Sequence, residues 1–97
     1  MLTIDYRRNA RAEYSDAVLW YEEQKSGLGM EFESEVEKVL AVISKSPNRY
    51  PIAKKDVREA IVHRFPYSVY YRQRLGRIVV LSVFHQARDP IEWMSRV

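Results

Sequence analysis

Four side chains in the second half of this chain could act together if folding brought them to one place: Arg64, Arg72, His85 and Arg88. Lys54, Lys55 and Arg58 add positive charge a few residues upstream. Such cations bind phosphate. With a histidine among them, they also suit RNA cleavage by 2′-hydroxyl attack. That reaction needs a base for the hydroxyl, an acid for the leaving oxygen and cations for the charged phosphorane. Imidazole gives or takes a proton near neutral pH, so His85 suits either role. Arg64 and Arg88 would then stabilise the phosphorane, and Tyr70 or Tyr71 would stack on a base. Each residue also has a structural alternative. A lone histidine at a strand end is often a satisfied structural group, and Arg88 can pair with Asp89 or Glu92. For His63 the structural reading dominates.

Other chemistries lack their residues. The chain has two histidines and no cysteine, so thiolate metal sites and disulfides are excluded, and no HExxH pattern occurs. No GxSxG elbow is present, and Gly27, Gly29 and Gly76 do not form a phosphate loop. Neither a cofactor nor a metal is expected. The N-terminus MLTIDYRRN has no apolar signal core, and no apolar run is long enough to span a membrane. These features predict a soluble, cytoplasmic chain with no membrane partner.

The elements that must position these residues follow from periodicity. The run Ile78 to Phe84 is apolar apart from Ser82, which predicts a strand buried on both faces and central in a sheet. Asp89-Pro90 stops it, and the polar residues His85, Gln86 and Arg88 lie at its end. Upstream, Leu2, Ile4 and Tyr6 alternate as a short half-buried strand. Asn9 is the expected cap of a helix starting at Ala10, with Ala10, Tyr14, Ala17, Val18 and Tyr21 as its apolar stripe. Trp20 falls at the border of that stripe, where packing is the expected role ahead of partner binding. Gly27 and Gly29 turn the chain. Phe32, Val36, Val39, Leu40 and Ile43 form the stripe of a second helix, closed by Ser46-Pro47. After the PNRYP loop, strands are expected over Val57–Phe65, Tyr67–Arg74 and the run from Ile78, with a Leu75-Gly76 turn. The tail IEWMSRV is either one helical turn or a strip across the sheet.

The order is therefore β-α-α-β-β-β. It predicts one α+β domain over residues 1–97, a small, mostly antiparallel sheet with a helical hairpin packed on one face. The other face is expected to keep the cationic residues. Charge is divided along the chain. Residues 1–46 carry six Lys/Arg against nine Asp/Glu, and residues 47–97 carry ten against four. A basic second half suits an acidic partner, although a solvated mixed surface reads the same way.

In order and spacing, several motifs resemble the RelE/ParE superfamily of toxins from type II toxin–antitoxin modules. They are WYE at Trp20 to Glu22, the Phe32-x-x-x-Val36 helix, SPNRYP at Ser46 to Pro51, Arg64-Phe65-Pro66-Tyr67, and VFHQARDPIEWMSR at Val83 to Arg96. The chain is most similar to the ParE-like, plasmid-stabilisation branch. The resemblance implies the α+β fold above and a cognate antitoxin wrapped along the toxin, with promoter DNA bound only through that antitoxin. It also implies one of two targets. RelE-like members cut mRNA in the ribosome with clustered basic residues, often with a tyrosine or histidine near the C-terminus. On that reading Arg64, His85 and Arg88 are catalytic. ParE-like members poison DNA gyrase and are not nucleases. Here no tyrosine follows Arg88, and the aromatic in that stretch is Trp93. This departure favours the gyrase branch. Lys54, Lys55, Arg58, Arg72, Tyr70, Tyr71 and Trp93 are then expected contacts to the target. A domain that binds antitoxin without toxicity is a third reading.

Overall fold

The computed structural model describes residues 1–97. In chain order it has β1 (Thr3–Tyr6), α1 (Arg8–Gln24), α2 (Leu28–Lys45), β2 (Ile52–Lys54), β3 (Val57–Ile61), β4 (Tyr67–Arg74), β5 (Arg77–His85) and α3 (Ile91–Met94). The sheet order is β1-β5-β4-β3-β2. β1 runs parallel to β5, and every other neighbouring pair is antiparallel. The run from Ile78 is thus an interior strand, as its pattern predicts, while β4 holds the geometric centre.

The two helical stripes cover one face of the sheet. Phe32, Val36 and Ile43 from α2 meet Val69, Tyr71, Ile78 and Val80 from the sheet, all with no exposed surface. Ala10 and Ala17 are the buried residues of α1, and their small side chains let that helix approach closely. Gly27 turns the hairpin in the left-handed region at φ 89°. Gly29 lies where the helices nearly touch, since a Cβ there would sit 2.5 Å from the Val18 carbonyl oxygen. The Glu22 carboxylate closes the turn by accepting from the Gly27 and Gly29 amides at 2.9 and 3.1 Å. Those amides belong to the open N-terminus of α2, where an anion is favoured.

Four expectations are corrected. α1 begins at Arg8 and not after Asn9, because Arg7 stays extended and donates its amide to the Val80 carbonyl. The sheet has five strands, since Ile52–Lys54 pairs with β3. β3 ends at Ile61. Val62 and Phe65 are both buried in the helix-side core, three positions apart, which strict strand alternation cannot achieve. The chain therefore kinks, with Arg64 at φ 72°.

The fourth correction concerns the far face of the sheet. It is not an open cationic surface. Val57, Tyr70, Val79, Leu81 and Phe84 form a second apolar cluster there, closed by Trp93 of α3. The Trp93 indole stacks on the Tyr70 ring at 3.8 Å between centroids, tilted by 14°. Leu81 is the extra residue of a bulge, because Tyr70 pairs with Ser82 while Tyr71 pairs with Val80.

Candidate functional site

β1 covers β5 only as far as Val80. Beyond it, side chains serve the outer edge of β5. Glu13 reaches down from α1 and accepts from the Val83 amide at 3.3 Å and the Ser82 hydroxyl at 2.8 Å. Arg96 donates to the Leu81 carbonyl at 3.1 Å and to both oxygens of Glu13, at 2.9 and 3.0 Å. Arg88 donates to Glu13 at 2.9 Å, also pairs with Glu92, and lies over the Phe84 ring. Burial pushes the Glu13 carboxyl up, but the donors Arg96, Ser82 and Arg88 outweigh it and hold the group below the ordinary 4.5. Periodicity alone does not single out Glu13. A signal was present, since Ala10, Glu13 and Ala17 are spaced three and four apart and so share the sheet-facing side of α1.

His85 sits at the end of β5, beside this clamp. Its Nδ1 accepts the Ala87 amide at 3.0 Å, so the neutral ring carries its proton on Nε2. Its ring meets Tyr67 edge-on at 5.0 Å. A shallow hollow of about 270 Å³ opens here, lined by Glu13, Asp16 and Trp20 of α1 and by Tyr67, His85 and Arg88.

The other expected site residues lie elsewhere. Arg64 turns to the start of α2, 2.9 Å from Glu31 and 3.9 Å from Glu35. Arg72 is buried at the opposite end of β4 from Tyr67 and pairs with Asp56 at 2.9 Å. Arg58 ties down the PNRYP loop through the Tyr50 and Asn48 carbonyls, at 2.6 and 3.4 Å. Lys54 donates to the Met94 carbonyl at 3.4 Å, and Lys55 occupies the β2–β3 turn at φ 53°. Tyr71 has no exposed surface and donates its hydroxyl to the Pro47 carbonyl. Tyr70 donates to Glu59, and its ring face is taken by Trp93. Burial, above all, pushes both hydroxyls up to about 12. These two rings are packing groups and leave no face for a base.

Of Arg64, Arg72, His85 and Arg88, only His85 and Arg88 border one cavity. There the histidine has one ring nitrogen engaged and the arginine is neutralised by two carboxylates. Burial raises the Tyr67 hydroxyl, so it stays protonated near neutral pH. The arrangement holds a strand end and a C-terminal segment rigidly in place. Neither Arg64 nor Arg72 joins His85 there to face a common phosphate.

The fold matches a chain of the chromosomal ParDE TA system from P. aeruginosa with a TM-score of 0.71 and 19% identity, covering 88% of this chain and 96% of that one. No curated protein matches. Residues 4–90, nearly the whole chain, match the family described as ParE toxin of type II toxin-antitoxin system, parDE. With the helical hairpin, the mixed sheet and the ordered FPY and HxxRDP elements, this places the chain in the ParE toxin family.

Proposed function

We propose that this protein is the toxin subunit of a type II toxin–antitoxin module in the cytoplasm, held inactive by a cognate antitoxin. Released, it arrests growth by binding DNA gyrase. One observation carries the choice of target: the cation beside His85 is spent within the molecule. Arg88 is clamped between Glu13 and Glu92, and Arg64 is paired on α2, so neither is arranged about a shared scissile phosphate. That supports a binding protein over a nuclease. Of the basic residues expected at the site, Lys55 and the exposed part of Arg64 are still open to solvent for target contacts. The competing reading is a ribosome-dependent mRNA endoribonuclease using Arg64, His85 and Arg88.

The test joins two measurements. Purified gyrase is assayed for supercoiling with excess protein, and transcript 5′ ends are mapped after a short expression pulse without antitoxin. Inhibited supercoiling with no new 5′ ends is expected. New ends within translated codons, with supercoiling intact, would replace gyrase by ribosome-bound mRNA. Normal growth of an antitoxin-free strain would reduce the protein to an antitoxin-binding domain.

A further inference from the structure

The hollow between α1 and the end of β5 has chemistry that the clamp does not use. Glu13 takes both arginines of the C-terminal segment and leaves Asp16, on the same rim, unpaired. Trp20, one helical turn further on, is 54% exposed and lines the hollow. Tyr67 supplies a second aromatic surface. With Nδ1 engaged, His85 offers Nε2–H as a donor. Counted together, Glu13, Asp16 and Glu92 against Arg88 and Arg96 leave this locality with one net negative charge.

We infer that this hollow is a seat for an arginine or lysine side chain presented by a protein partner. The cation would lie on the Trp20 indole and pair with Asp16, and a main-chain carbonyl of the same segment would accept from His85 Nε2. A cation on a tryptophan face beside a free carboxylate is favoured on both counts. At about 270 Å³ the hollow has room for one long side chain. Sign argues against phosphate, since the unpaired charge in the hollow is a carboxylate. An exposed tryptophan beside a defined polar group also has the composition of an interface anchor. This seat requires neither gyrase nor the ribosome as the toxin's target.

The test is an NMR titration of the full chain with a capped heptapeptide, Gly-Ser-Val-Arg-Val-Ser-Gly, and with its counterpart carrying neutral citrulline in place of arginine. Saturable shifts are expected at the Trp20 indole N–H and at the Val83 and His85 amides, with the citrulline peptide binding roughly fivefold more weakly or worse. Asp16→Asn should weaken the arginine peptide similarly. Glu23→Gln, which removes the same charge from α1 outside the hollow, should leave binding nearly unchanged. Both positions are exposed, so the variants should retain the native spectrum. Equal binding of the two peptides, equal effects of the two variants, shifts confined to the groove between α1 and α2, or no saturable shift would each overturn the assignment.

Discussion

Glu13 is the residue on which the most structure converges. One carboxylate joins α1, the edge of β5 and two arginines lying 75 and 83 positions further along the chain. Its side chain is 13% exposed, which puts its pairs between the surface and buried cases. Glu13→Gln should therefore destabilise the fold by about 2 kcal/mol at neutral pH. The pH dependence has a definite sign. The folded carboxyl lies below its ordinary 4.5, so its contribution is fully present above that value and is lost as pH falls through the folded value. The gap between wild type and Glu13→Gln in urea unfolding should be constant near neutrality and narrow below about pH 4.5. A gap that persists unchanged in acid would mean the ion pairs are not its origin.

At the scale of elements, the C-terminal segment behaves as a lid on the far face of the sheet. α3 is one turn, too short to be stable alone, so contacts must hold it. They are the Trp93–Tyr70 stack, the two arginines on Glu13 and Lys54 on the Met94 carbonyl. Trp93 is 5% exposed, and truncating it should cost about 3 kcal/mol. Trp93→Ala is expected to lower the denaturation midpoint and expose Tyr70, with far-UV signals of α1 and α2 kept until global unfolding. A loss under about 0.5 kcal/mol would show that the segment only rests on the sheet. The stripe spacing in α1 and α2 made the helix-side core legible in sequence. The far-side cluster was less so, because Val57, Tyr70 and Trp93 come from three elements with no shared period.

At the scale of the molecule, charge and architecture coincide only in part. The acidic first half supplies the two long helices, and the basic second half supplies four of the five strands and α3. Many of the basic residues are spent on the acidic ones: Arg64 on Glu31, Arg77 on Asp5, and Arg88 and Arg96 on Glu13. The free basic surface is smaller than composition suggests. Under the gyrase reading His85 has no chemical role, so His85→Ala should arrest growth as wild type does in colony counts after induction. A folded His85→Ala variant that no longer arrests growth, and that abolishes new transcript 5′ ends made by the wild type, would bring back the nuclease reading.

Sequence alone determined the types of β1, α1, α2, β3, β4 and β5, both helical stripes, the β4–β5 hairpin and the ordered motifs that mark the family. All of these are local patterns with a fixed period or spacing, which the chain carries in one dimension. Tertiary structure decided the parallel docking of β1 on β5, the fifth strand and the burial of Tyr71. It also sent Arg64 and Arg72 to different ends of the fold and gave Arg88 to Glu13 as well as to its near neighbour Glu92. The physical reason is that a cation's partner depends on which carboxylate long-range packing brings within reach. A strand pattern shows which face a side chain takes, but not what will cover that face.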